Sequence, residues 1–434
     1  MTDKARAPKV AQAFTHAMFR QSADDLEDPA SFSEFLLARD VRSAHVMRTL
    51  GSFSLLLCLS ALAFACTSST DTSSGNPSPA PTDTTTPPTE NPPVTCEDGK
   101  YRTAANVCET FPSVSVKRAE VIIGPVRDHH ATMVTEIDGK PFLYVFGGTD
   151  DWKVMHDDVQ RAPIAEDGSL GKFEPAGKLP APRAGHCIVK VKDRWLLSGG
   201  IVPAAGTMSP STSSVYVKLG ADGKVAETTP GPALPVGVMH LTCDVGGDWV
   251  YAQGGRNKSS KSTAMSVRAK IGADGVVGPF ENQPALKPDR SHHASFIREN
   301  RLYILGGLTG DPTGDYEDRS DAIMADIGAD GALGQWAPAG KLPATLSVSS
   351  AQLYKDAIYM VGGLEGVDGF TDKIRRATFN PDGSLSDVAT ISAKLPSARG
   401  HVHQTPMYKG FFFSVGGKDN GNNSLGTIDV GLFQ

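Results

Sequence analysis

The sequence predicts an all-β fold made of one four-stranded unit written six times. Three observations carry this. An apolar run ending in Gly-Gly recurs with its glycine pairs at 147–148, 199–200, 254–255, 306–307, 362–363 and 416–417, at intervals of 52, 55, 52, 56 and 54 residues. Asp-Gly keeps step with it, its aspartates at 167, 222, 274, 330 and 382. The composition fits a turn-rich β chain, with 45 Gly in 434 residues and no three-residue period.

Each unit reads as four strands in order. The first follows an LPxxR-like connection, as in SHHASFIRE, and the second ends at Gly-Gly, where glycine permits a close backbone approach between crowded units. A loop of variable length leads to a third strand such as SDAIMADIG. Asp-Gly then reads as a two-residue hairpin turn with both central residues at positive φ. The fourth strand carries an aromatic in three units, Phe173, Phe280 and Trp336, each 26 residues before the next Gly-Gly. Thr228 and Thr390 take that register in two others.

The last unit lacks a fourth strand, because the sequence stops after NNSLGTIDVGLFQ. Counting 26 residues back from Gly147 lands on Val121, in a stretch with no unit of its own. Residues 114–122 are therefore expected to complete the sixth unit and remove an open sheet edge.

These residues resemble the kelch family over 114–434: the apolar run before Gly-Gly, the later aromatic and a period near 50. The resemblance implies a six-bladed β-propeller with four-stranded blades, closed by an N-terminal strand. Kelch-type propellers include non-catalytic binders, copper-radical oxidases and sialic-acid mutarotases, and fold likeness does not choose among them.

Ahead of the repeats the sequence reads as an address. Residues 1–46 are polar and read as a non-native or disordered extension, with a genuine extension or a signal anchor as the alternative. Met47-Arg48-Thr49 leads an apolar stretch of about 15 residues, the form of a secretory signal over 47–65 that is too short to span a bilayer. This points to Met47 as the start of translation. The run Leu62-Ala63-Phe64-Ala65-Cys66 resembles a bacterial lipobox, which makes Cys66 a lipidation site, with plain cleavage after Ala65 as the alternative. Residues 66–95 read as a Ser/Thr/Pro-rich stalk that cannot bury a core. The expected place is the bacterial outer membrane or cell surface, attached through the lipid, or else the periplasm or medium.

Of the other cysteines, Cys96 and Cys108 bracket a short segment at 96–113 and suit a small disulfide loop. Cys187 and Cys243 lie 12 and 11 residues before their Gly-Gly pairs. A one-residue difference turns side chains to opposite strand faces, so the favoured expectation is two buried thiols, with pairing between them the alternative. No Cys/His spacing resembles a zinc site, and no GxSxG, HExxH or phosphate-binding glycine loop is present.

A ligand is expected where the variable loops after Gly-Gly meet the LPxxR connections, at the mouth of the central channel. The candidate residues there are Arg127 with His130, Arg183 with His186, Arg290 with His293, and Arg399 with His401 or His403. Guanidinium forks suit a carboxylate or sugar acid. The competing reading has these groups holding neighbouring blades together. The acidic loops Asp150, Asp151, Asp157, Asp158 and Asp311, Asp315, Glu317, Asp318 match no calcium loop and read as solvated charge. A net charge of −6 gives no footprint for nucleic acid. The expected protein is a monomer with a protein or carbohydrate ligand, no cofactor and no catalytic group. A sugar-acid mutarotase and a purely structural envelope protein are the alternatives.

Overall fold

The computed structural model describes residues 94–97, 99–204, 207–310 and 316–434. The 1–46 extension, the signal at 47–65, Cys66, nearly all of the stalk, and Asp311 and Asp315 lie outside them. The described chain forms six antiparallel four-stranded sheets arranged as blades of a β-propeller. The first blade runs outward through Ala131–Ile137, Lys140–Phe146, Asp158–Pro163 and Glu174–Lys178. Blades two to five repeat this order, starting from Cys187–Val191, Thr242–Gly246, Ala294–Arg298 and Ser350–Tyr354. In every blade the second strand is the most apolar, as in LYVF at 143–146, because blades cover it on both faces.

The ring closes as expected. In the sixth blade Val114–Ile122 pairs antiparallel with Thr427–Phe433, the third strand, and becomes the outermost. The strand that precedes the first blade and the last strand of the chain thus share one sheet, and that sheet has four strands like the others.

The Gly-Gly pairs tie each blade to the next through the backbone. The second glycine of each pair donates its N–H to a carbonyl at one fixed register of the following blade. Gly148 donates to Arg183, Gly200 to Val238, Gly255 to Arg290, Gly307 to Leu346, Gly363 to Arg399 and Gly417 to Arg127, at 2.8–3.0 Å. Six equivalent bonds run around the ring. A Cβ at Gly306 would sit 2.1 Å from the Leu346 carbonyl oxygen, and its φ is +58°. Only glycine meets both demands.

The Asp-Gly turns differ from the expected form. Only the glycine lies at positive φ, and its N–H reaches back three residues, Gly168 to Ala165 at 3.0 Å, while Ala165 N–H bonds Ser169 at 2.9 Å. This is a turn followed by a left-handed glycine bulge, repeated at Gly223, Gly275, Gly331 and Gly383. The aspartate accepts from the N–H two residues on, as Asp167 does from Ser169 at 2.9 Å. Three of these glycine carbonyls are clamped by a tyrosine of the preceding blade: Tyr144 to Gly223, Tyr251 to Gly331 and Tyr303 to Gly383, at 2.7–2.9 Å. The aromatics Phe173, Phe280 and Trp336 fall one residue before their outer strands rather than in them. They wedge between blades, and Trp336 Nε1 donates to Pro284 of the blade before at 2.9 Å.

Both cysteine pairs are disulfides. Cys96–Cys108 closes the short N-terminal hairpin Lys100–Arg102 with Cys108–Thr110. Cys187–Cys243 links the innermost strands of blades two and three, which corrects the expectation of free thiols. The one-residue offset does place the two side chains on opposite strand faces, and that is why they meet. In a ring one face of a blade packs against the opposite face of its neighbour, so side chains on opposite faces are the ones that meet.

Candidate functional site

The loops after Gly-Gly and the connections into each innermost strand lie on one face of the ring. Six equivalent bridges join them: Asp128 to Thr149, Ala184 to Ile201, Met239 to Arg256, Ser291 to Leu308, Ser347 to Leu364 and Gly400 to Lys418. The arginines at this face do not point into it. Arg127, Arg183, Arg290 and Arg399 are buried, and each donates Nη1 to the carbonyl of the first glycine of its own blade, Gly147, Gly199, Gly306 and Gly416. The other guanidinium nitrogen goes to the third strand or its approach: to Asp158 (3.0 Å), to Ser213 Oγ (2.8 Å), to Asp321 (3.0 Å), and to Thr427 Oγ1 with Asp429 (2.9 and 2.8 Å). These four forks are spent on the framework, which corrects the expectation of a basic ligand-binding mouth. The partners are glycines of the arginine's own blade, whereas the arginine's backbone carbonyl holds the neighbour.

The acidic loops are likewise engaged. Asp158 takes Arg127 and Asp157 lies 3.2 Å from Lys178. Asp151 takes the buried Lys418 at 2.7 Å, and Glu317 takes Arg319 at 2.8 Å. His130, His186 and His293 sit one residue further along from their register, buried against the blade walls, and His293 Nε2 lies 2.9 Å from Thr242 Oγ1.

The centre belongs to the residue two past the arginine register. Around the ring this position holds His129, Gly185, His240, His292, Val348 and His401. All six have left-handed φ: 54°, 65°, 57°, 56°, 46° and 55°. Five of these backbones form a hydrogen-bonded arc, the carbonyl of His129 accepting from Gly185, that of Gly185 from His240, that of His240 from His292, and that of His292 from Val348, at 2.7–3.1 Å. This conformation turns the side chains toward one another over the channel. His403, two residues past His401, joins them. Ring centroids lie 3.8 Å apart for His240–His292, 4.2 Å for His129–His401, 4.8 Å for His129–His240, and 5.7 Å from His403 to both His129 and His240. Trp152 and Phe370 flank the cluster, against His129 and His401.

Electrostatics keep these imidazoles neutral. Burial holds His129, His240, His292 and His401 well below the ordinary histidine value, and neighbouring imidazoles add to the effect. His403 is brought down to about 4, and His130 and His293 to about 3, again mainly by burial. The carboxyl group touching the cluster is that of Asp128. It bonds His129 Nδ1, accepts Ser424 Oγ at 2.5 Å, and is raised by its burial.

Sequence reading found His401, and named His403 as its alternate, but passed over His129, His240 and His292. Stacking the six repeats on the arginine register, with Val238 and Leu346 filling the two blades that lack one, exposes the column.

A six-bladed ring of repeats ending in Gly-Gly makes this chain a β-propeller consistent with the kelch-repeat family. Comparison with known proteins agrees. A curated relative, Kelch-like protein terF of Aspergillus terreus, is 23% identical over 240 residues, which is 55% of this chain and 50% of the relative. The chain thus spans about half the length of the curated relative it matches. The structure of YjhT matches with a TM-score of 0.54 at 10% identity, covering 71% of this chain and 95% of YjhT. No protein-family model matches.

Proposed function

We propose that this chain is an exported, lipid-anchored binding module of the bacterial cell envelope. Its propeller recognises a protein or carbohydrate ligand on the face that carries the loops after Gly-Gly. The observation behind this reading is the commitment of the arginines. All four guanidinium groups that a sugar acid would need are buried and bonded to framework groups, so the variable loops are left as the recognition surface. The signal-like stretch and Cys66 support export and anchoring. The stalk would hold the ring away from the membrane, and several acyl chains on one cysteine give stable attachment.

A sugar-acid mutarotase is the second reading. The contact that favours it is Asp128 on His129 Nδ1, since a carboxylate that orients an imidazole is the usual support of a general base.

Two measurements on the full chain test the proposal. Metabolic labelling with an alkyne fatty acid should mark the wild type and not Cys66→Ala; equal labelling of both sinks the anchor. A thermal-shift panel of neutral glycans, sugar acids and peptides should give a rise in melting temperature with a glycan or peptide. Anomer interconversion of a sugar acid that is lost in His129→Gln would replace the binding module with the enzyme.

A further inference from the structure

We propose that His129, His240 and His403 bind one divalent transition-metal ion of the zinc class at the centre of the ring. The inference stands apart from the ligand proposed above, because it rests on the channel centre and not on the loops. Among the described residues these three are the group of His, Cys, Asp or Glu side chains at metal-ligand separations, one ring nitrogen from each lying within 4.8 Å of the others. They come from three different blades, so no local spacing announces them.

Three features mark the cluster as built rather than accidental. The first is rigidity. His129 and His240 are at left-handed φ and both belong to the hydrogen-bonded arc, which fixes where their rings start. The second is unmet bonding. Both nitrogens of His240 and Nε2 of His403 are buried without a hydrogen-bond partner, whereas buried polar atoms are nearly always satisfied. The third is the support behind His129. Its Nδ1 is engaged by Asp128, which is itself pinned by Ser424 Oγ at 2.5 Å and by reciprocal backbone bonds to Thr149 at 2.9 Å. A carboxylate on the far nitrogen is the usual companion of a metal-bound histidine, because it fixes the tautomer and leaves Nε2 to bind.

The donor set selects the ion. Three neutral imidazoles with no thiolate suit zinc, copper or nickel and do not suit calcium or magnesium, which prefer oxygen. Zinc–nitrogen bonds of about 2.1 Å in a tetrahedron need nitrogens roughly 3.4 Å apart, so ring rotations that draw the three inward by about an ångström complete the geometry. Three histidines leave a fourth position open. His403 and His401 are partly exposed, so water from the channel can reach it.

The test uses untagged full-length chain stripped with a chelator and titrated with zinc, then with cobalt for its visible spectrum. The expected result is one equivalent of either metal, a four-coordinate cobalt spectrum, and a rise in melting temperature on zinc addition. His240→Gln and His403→Gln should each weaken binding 100-fold or more. Asp128→Asn should weaken it about 10- to 100-fold. Every variant is melted metal-free first, so a folding defect is seen separately. If a variant does not fold, the wild-type cobalt spectrum decides, and one without four-coordinate nitrogen ligation overturns the proposal. So does a lack of saturable binding, or an unchanged affinity in folded His240→Gln and His403→Gln.

Discussion

Replacing Arg290 with methionine should destabilise the ring and leave any ligand affinity intact. Arg290 is wholly buried, with Nη1 on the Gly306 carbonyl and Nη2 on Asp321, both at 3.0 Å. Methionine keeps most of the volume, and Val238 and Leu346 show that the same register accepts an apolar side chain in two other blades. The loss is therefore one of pairing. An orphaned buried carbonyl costs about 1–3 kcal/mol. Stranding a buried charge costs about 3–5 kcal/mol, but Asp321 keeps Arg319 at 2.8 Å and is 23% exposed, which leaves only a small part of that. The sum is about 2–4 kcal/mol. With an unfolding entropy near 2.1 cal/mol/K per residue over about 320 residues, this lowers the melting temperature by about 3–6 °C. Calorimetry of the wild type, Arg290→Met and Arg290→Lys reads it, with lysine expected to fall between the other two. A methionine variant that melts within 1 °C of the wild type would refute the framework role and return this guanidinium to the pool of ligand-binding groups.

Two further outcomes follow from the same structure. The buried histidines have folded values below the ordinary 6.5, so the unfolded chain binds more protons, and stability present above pH 6.5 is lost as pH falls toward those values, about 4 for His403. Each imidazole kept neutral contributes a loss of about 1.9 kcal/mol between pH 7 and 5; metal-free melts at pH 7, 6 and 5 should fall steeply, less so in His403→Gln, and a flat profile would contradict their burial. The Cys187–Cys243 bond spans 56 residues, and a chain-entropy account gives it about 4 kcal/mol. Alkylation of denatured, unreduced protein should leave Cys96, Cys108, Cys187 and Cys243 unmodified by mass spectrometry, and Cys243→Ser should melt several degrees lower; adducts on Cys187 and Cys243 would show that they are free.

What the sequence made legible, and what it hid, divides by whether a requirement recurs at one register of every blade or is met by a single pair. Gly-Gly is imposed at the same register of every blade by a close approach to the next blade that no side chain permits, so six copies stand in the sequence and the ring can be counted from them. The closing strand is legible for the same reason, since a fixed offset from Gly147 finds Val121. The turn at Asp-Gly was placed correctly but typed wrongly. The dipeptide does not say whether its aspartate is left-handed, and here only the glycine is. Relations between blades were the harder part. The Cys187–Cys243 bond needed the facing of adjacent blades, and the arginine partners needed the glycine carbonyls, neither of which is written in a local pattern.

The histidine column is the clearest case, and it also bears on function. Its register requires left-handed backbone in all six blades, which glycine meets without strain, as Gly185 does. Four blades carry histidine instead, at a conformational cost of about 1 kcal/mol each. His240 recovers none of this through hydrogen bonds, because neither of its ring nitrogens has a partner. Backbone strain alone would favour glycine at 129, 240, 292 and 401, and the hydrogen bonds of the arc would still form. Val348 bears the same strain with no nitrogen to offer, so the backbone alone does not mark the column; the two unpartnered, buried nitrogens of His240 are what the fold that positions them leaves unexplained.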